Sequence, residues 1–287
     1  MKTVLSIAGS DCSGGAGIQA DLKTMLANGV YGMSVITSLT AQNTTGVRSI
    51  LNSDPKFLAD QIDAVFEDIV PDAVKTGMIP SKELVEVTAE RLKFYCVKNI
   101  VTDPVMVATS GADLSNLESV KALKEKLIPL ASVVTPNIPE AEVLSGMKIN
   151  TKDDMIEAAK KINAECGCSV LIKGGHNDSN CDDVLLHDGE VYIFEMQKID
   201  NPNTHGTGCT LSSAIACNLA KGMTVPDAVK RAKEYITGAI RAGLDLGHGR
   251  GPLDHGYDIK TKFKEYEENR KWKELTRHRW KPQEWES

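Results

Sequence analysis

Short apolar runs alternate with amphipathic stretches along most of the chain. Thr3 to Ala8 is apolar and partly β-branched, which predicts a buried strand. Ser34 to Leu39, the run from Ala73, Asn99 to Thr102, Ser132 to Thr135 and Ser169 to Ile172 read the same way. Between them lie stretches with helical spacing: Ile18 to Ala27, Asp54 to Ile69, Ser81 to Tyr95, Leu117 to Leu127, one opening near Pro136, and Lys152 to Glu165. In the second of these, Asp54 suits an N-cap and Pro55 the first turn, while Phe57, Leu58, Ile62, Val65 and Phe66 form the apolar face. Cys181 to Leu186 and Glu190 to Glu195 flank His187-Asp188-Gly189, which predicts an antiparallel hairpin at a sheet edge with Asp-Gly in its turn. Helices follow over Thr210 to Ala220 and Pro226 to Leu244, and then a flexible loop from Gly247 to Pro252.

The polar residues at the ends of these runs are the candidate chemistry. The first strand runs into Gly9-Ser10-Asp11-Cys12-Ser13-Gly14-Gly15-Ala16-Gly17 and then a helix, the first half of a βαβ unit. Its glycines fit neither the Walker loop nor the dinucleotide fingerprint. Asp11 and Asp21 flank the loop; they either meet a small polar ligand or, for Asp11, cap the turn. Gln42, in the loop expected after the second strand, offers a donor and acceptors to a heteroaromatic ring. Asp103 at a strand end before Pro104 is placed for a metal, and Asn137 with Glu140 could hold hydrated Mg²⁺ through waters or simply open a helix. Lys173, beside Gly174 and Gly175, can reach a phosphate.

The stretch Asn203-Thr204-His205-Gly206-Thr207-Gly208-Cys209 turns sharply into a helix. A glycine turn at a helix start aims backbone N–H groups at one point, and the helix dipole adds positive potential, which makes an anion site. The same field is expected to lower the Cys209 thiol pKa. The competing reading is a tight loop with Cys209 as a small core residue.

Composition removes some classes. A net charge of -6 argues against nucleic acid and anionic membranes as partners. No apolar run is long enough to span a bilayer, and the N-terminal apolar stretch is too short for a signal peptide. Seven scattered cysteines without CxxC pairing indicate a reduced, cytoplasmic protein without structural zinc or disulfides. The last 28 residues hold all three tryptophans and alternate in charge. They are expected to form an appended helical tail over 259–287, behind a domain spanning 1–258, that packs on the domain or a partner chain.

Taken together, Ala8 to Asp11 with Gly14 to Asp21, Leu39 to Thr44, Lys75-Thr76-Gly77-Met78, Asp103 to Met106, Thr135 to Glu142, Lys173 to His176 and Asn203 to Cys209 resemble, in order and spacing, the hydroxymethylpyrimidine/phosphomethylpyrimidine kinases of thiamine biosynthesis, within the ribokinase superfamily. The resemblance implies a ribokinase-like α/β fold, with a central, mostly parallel sheet between helices, and a homodimer. It implies transfer of phosphate from ATP, with Mg²⁺, to 4-amino-5-hydroxymethyl-2-methylpyrimidine and then to its monophosphate. By that resemblance Gln42 holds the aminopyrimidine, with Gly9, Asp21, Met78 and Val105 in the same pocket. Asp103 and Glu140 organise the metal, and Lys173, Thr207 and Asn137 meet ATP phosphates. Gly206, Gly208 and Cys209 form the anion hole, with Cys209 where many relatives carry an aspartate base. A pyridoxal kinase on the same fold is the nearest alternative, and a non-catalytic pyrimidine-binding protein a more distant one.

Overall fold

A computed structural model describes residues 1–106, 117–175, 182–195 and 199–260. The chain divides into two units, Met1–Tyr257 and Asp258–Ser287. The expected tail falls almost wholly outside the described residues.

Among the described residues of the first unit, nine strands form one sheet: β1 (Thr3–Asp11), β2 (Tyr31–Asn43), β3 (Gly46–Asn52), β4 (Ala73–Thr76), β5 (Ile100–Thr102), β6 (Val133–Val134), β7 (Ser169–Ile172), β8 (Asp183–His187) and β9 (Glu190–Phe194). Their spatial order is β3-β2-β1-β4-β5-β6-β7-β8-β9. The six central strands, β2 through β7 in that order, pair in parallel. The antiparallel strands β3 on one side and β8 and β9 on the other close the edges.

Parallel strands buried on both faces should be apolar at every position. Leu5, Ile7, Val74, Ile100, Val134 and Val170 enter one core. Their neighbours Val4, Ala73, Val101, Val133 and Leu171 enter the other. The first core is covered by α2 (Pro55–Phe66), α3 (Lys82–Phe94), α4 (Leu117–Ala122), α5 (Ile138–Ser145) and α6 (Lys152–Cys166). The second is covered by α1 (Gly17–Ala27), α7 (Thr207–Ala220) and α8 (Val225–Arg241). The chain caps several helices itself. Asp54 accepts from Lys56 N and Phe57 N at the start of α2, and Ser81 from Leu84 N at α3.

Three local expectations change. The second strand is longer than its apolar run, so Gln42 lies in β2, paired with Val47 of β3, and not in a loop. Strand β3 was not expected, because its side chains are almost all exposed and carry no alternation. Helix α7 begins at Thr207, three residues earlier than its apolar spacing indicates. The β8–β9 hairpin forms as expected, with Asp188 (φ 49°) and Gly189 (φ 81°) in the two left-handed turn positions.

Candidate active site

The polar residues gather where β1, β2, β4, β5 and β7 end, beside the N-terminus of α7. Carboxyl ends of parallel strands are where α/β sheets bind ligands.

The turn into α7 is built by glycine. Gly206 has φ +83°, and a Cβ there would run into the carbonyl of Gly15. Thr207 N–H reaches back to Thr204 O at 3.3 Å, and Thr210 N bonds Gly206 O at 2.9 Å. The first-turn N–H groups of Gly208 and Cys209 are left without an intrahelical acceptor, as at any helix start. A Cβ on Gly208 would lie 3.3 Å from Asp103 Oδ2 and 3.4 Å from Lys173 Nζ. The helix N-terminus, the lysine and the carboxylate therefore converge.

Lys173 donates to Asp103 Oδ1 at 2.9 Å. Thr135 Oγ1 and Ser212 Oγ also meet the Asp103 carboxylate, at 3.2 and 3.5 Å. Burial works against the Lys173 charge, but Asp103 and then Glu140 outweigh it and raise its pKa. Lys173 N–H bonds Pro136 O, which ties its strand end to the start of α5. There Asn137 and Glu140 form a reciprocal capping box, Glu140 N to Asn137 Oδ1 at 2.9 Å and Asn137 N to Glu140 Oε2 at 2.8 Å. The Asn137 oxygen is thus already committed to the helix. Burial pushes the Glu140 carboxyl up to about 7, with Lys173 opposing and Asp103 adding to the rise.

On the other side of the α7 turn, Gly9 has no room for a side chain: a Cβ would meet Met78 Cε and lie 2.9 Å from Ser38 Oγ. Gly9 and Met78 are therefore neighbours. The Gln42 Nε2 lies 3.2 Å from His205 Nε2, and His205 directly precedes Gly206. A ring read by Gln42 would lie next to the anion loop. Val105 is partly buried, two residues beyond Asp103.

Asp21 is corrected. It is fully buried, and its carboxylate is saturated by Lys75 Nζ at 2.8 and 3.0 Å, Ser213 Oγ at 2.7 Å and Ser6 Oγ. It ties β1, β4 and α7 together inside the core and is not exposed to meet a ligand. Lys75 is equally buried. Burial disfavours its charge, but Asp21, and less strongly Cys209 and Asp103, hold the proton more firmly than in free lysine. The one sign of this ion pair in the sequence is Lys75 itself, a charge within the buried run Ala73-Val74-Lys75-Thr76. Asp11 is the turn cap: it accepts from Ser13 N and Oγ, Gly15 N and Ala16 N, and pairs with His205 Nε2 at 2.8 Å. Only the position of His205 inside the Asn203–Cys209 motif hints at this pairing in the sequence.

The thiol expectation is reversed. Burial pushes Cys209 up to about 11; Lys75 pulls it down, and Asp21 and Asp103 add to the rise. Desolvation of the thiolate outweighs Lys75 and the backbone hydrogen bond of Gly17, the two influences that lower it.

Among the described residues no group of three or more His, Cys, Asp and Glu side chains could hold a metal by itself. None of their helices is long and apolar enough to cross a membrane.

The profile of the phosphomethylpyrimidine kinase family matches residues 11–254. The thiamine biosynthesis bifunctional protein ThiED of Geobacter sulfurreducens is 51% identical over 254 residues, 88% of this chain and 52% of that protein. The chain thus spans about half the length of that relative. The hydroxymethylpyrimidine/phosphomethylpyrimidine kinase of Streptomyces coelicolor is 47% identical over 256 residues, 89% of this chain and 95% of that protein. Among solved structures, an ADP complex of Bacillus subtilis pyridoxal kinase superposes with a TM-score of 0.82 at 43% identity, covering 90% of this chain and 98% of that one.

Proposed function

The chain belongs to the phosphomethylpyrimidine kinase family, and from that premise we propose how its residues carry a phosphate from ATP to hydroxymethylpyrimidine and then to the resulting monophosphate. The fold is ribokinase-like and the protein is a kinase that takes ATP as donor. One observation carries the residue assignments: Gln42 and the Gly206–Cys209 turn are joined through His205, so a ring read by one delivers its substituent to the other.

In this reading the Gln42 amide meets the polar edge of the aminopyrimidine, and Gly9 and Met78 hold the ring's faces. The hydroxymethyl group then lies at the lip of α7. The Gly208 and Cys209 N–H groups and Lys173 stabilise charge on the moving phosphoryl group, which is most of what phosphoryl transfer asks of a protein. Thr207 and Asn137 border the same phosphates. In the first transfer Cys209 takes the hydroxyl proton as its thiolate, the minor form at neutral pH because burial holds the thiol near 11.

Mg²⁺ fits this donor set. It is commonly bound by one or two carboxylates plus waters and substrate phosphates, so the lack of a three-ligand cluster is no obstacle. Asp103 and Glu140 would hold it, and it would supply charge neutralisation between the phosphates.

The reading extends to assembly. Leu39, Ile50 and Leu51 on the β2–β3 hairpin are exposed apolar residues, which supports a homodimer through that edge. A second reading, a pyridoxal kinase, is favoured by the likeness to the Bacillus protein, because pyridoxal also carries a hydroxymethyl group on a ring.

The test is Gln42→Leu. It leaves the ring's polar edge unpaired at a cost of about 1–3 kcal/mol, and raises KM for the pyrimidine while sparing ATP. Equal damage to both KM values places Gln42 elsewhere.

A further inference from the structure

The proton inventory around His205 does not close as the atoms are named. Asp11 Oδ2 lies 2.8 Å from His205 Nε2, with both side chains almost fully buried. Burial alone would raise the Asp11 carboxyl, but hydrogen bonds from His205 and Ser13 outweigh it and lower it to about 2, so Asp11 is a carboxylate. A carboxylate at that distance requires the proton of the imidazole to sit on Nε2. Yet the Gln42 Nε2, itself only a donor, faces the same nitrogen at 3.2 Å.

The other end of the amide has the matching problem. Gln42 Oε1 faces Thr40 Oγ1 at 3.3 Å, and the single hydroxyl proton of Thr40 is already committed to Ser10 O at 2.7 Å. Turning the amide end for end resolves both conflicts without moving a heavy atom. The His205 N–H is then shared between Asp11 and the Gln42 oxygen, and the Gln42 nitrogen donates to the free lone pair of Thr40. One N–H and one oxygen lone pair of Gln42 remain for a ligand.

We propose that His205, fixed by Asp11, is a positioning residue that locks the Gln42 amide in this orientation and so selects rings presenting a donor beside an acceptor. The inference rests on Gln42 being the group that meets the pyrimidine. His205 is itself held firmly. A Cβ on Gly15 would strike its ring, its own N–H bonds Gly251 O at 3.2 Å, and Gly206 follows it directly. The residue that orients the ring reader therefore also anchors the loop that receives the phosphate.

The test is a double-mutant cycle on His205→Phe and Gln42→Leu, with KM for hydroxymethylpyrimidine, KM for ATP and kcat measured separately. Phenylalanine keeps the ring's packing and removes its N–H. His205→Phe alone is expected to raise the pyrimidine KM about tenfold, the scale of one lost hydrogen bond, and to leave the ATP KM within about twofold. It is also expected to lose discrimination against a ring analogue lacking the exocyclic amine. The double variant is expected to match Gln42→Leu. Additive losses, or an equal rise in the ATP KM, overturn the positioning role and leave Gln42's own role standing. A Gln42→Leu enzyme with an unchanged pyrimidine KM overturns the reading of Gln42 and this inference with it. If His205→Phe fails to fold, Asp11→Asn takes its place in the cycle with the same expected and contrary outcomes.

Discussion

Lys173 Nζ stands 2.9 Å from Asp103 Oδ1, immediately beside the glycine turn that opens α7. Neither charge is exposed to much water, so each depends on the other. Lys173→Met removes the cation proposed to meet the transferred phosphate and leaves the Asp103 carboxylate with only the hydroxyls of Thr135 and Ser212. Steady-state kinetics should show kcat/KM for ATP falling by about 10²–10³, the scale of losing one preorganised charge-stabilising group. Lys173→Arg keeps the charge and should retain more activity than Lys173→Met.

Gly206 is a purely structural test of the same turn. Alanine there meets both a left-handed backbone and the Gly15 carbonyl. Gly206→Ala should cost about 2–4 kcal/mol in denaturant unfolding, from strain plus overpacking. A change below about 1 kcal/mol would show that the two loops yield easily.

The buried pair of Lys75 and Asp21 makes a third prediction. Removing one partner strands a charge with no access to water. Lys75→Met should destabilise the fold by about 3–5 kcal/mol, whereas Lys75→Met with Asp21→Leu should recover much of that loss. Equal destabilisation by the single and double variants would mean that the existing hydrogen bonds from Ser6 and Ser213 suffice to hold the carboxylate.

Asp11 gives a pH dependence with a definite sign. Its folded value near 2 lies below the ordinary 3.8. The carboxylate's contribution is therefore complete above about 4 and is lost as pH falls through about 2; it amounts to about 2 kcal/mol. The stability gap between wild type and Asp11→Asn should narrow as pH falls from about 4 towards 2. A gap unchanged at low pH would show that Asp11 is not depressed.

Cys209 carries its proton at neutral pH, because burial holds the thiol near 11. If the thiolate is the base, its fraction and kcat rise with pH through the neutral and mildly alkaline range. Cys209→Ala should lower kcat by about 10²–10⁴. Cys209→Asp should recover part of the rate and flatten the pH profile, since a carboxylate is already ionised there. A Cys209→Ala enzyme within about threefold of wild type, under 1 kcal/mol in barrier, would reduce the thiol to a bystander.

The sequence was most readable where physics is local. Runs such as Ser169–Ile172 and caps such as Asp54 and Ser81 announce themselves, and the Asp188-Gly189 turn follows from backbone conformation alone. The glycine turn at Gly206–Gly208 was equally visible, since few other residues could make it. Residues whose roles depend on distant partners were not. Asp21 looked like a pocket residue because nothing nearby in sequence reveals Lys75, 54 positions away. The thiol shift was misjudged because the helix terminus is legible in sequence and desolvation is not. Strand β3 carries no alternation because pairing with β2, and not burial, makes it a strand.

Acceptor choice tests the account most directly. The enzyme is incubated with ATP and Mg²⁺ and, separately, hydroxymethylpyrimidine, its monophosphate and pyridoxal, and the products are resolved by mass. The pyrimidine monophosphate is expected from the first and the diphosphate from the second, both at higher kcat/KM than pyridoxal phosphate from the third. Faster phosphorylation of pyridoxal than of either pyrimidine would contradict it.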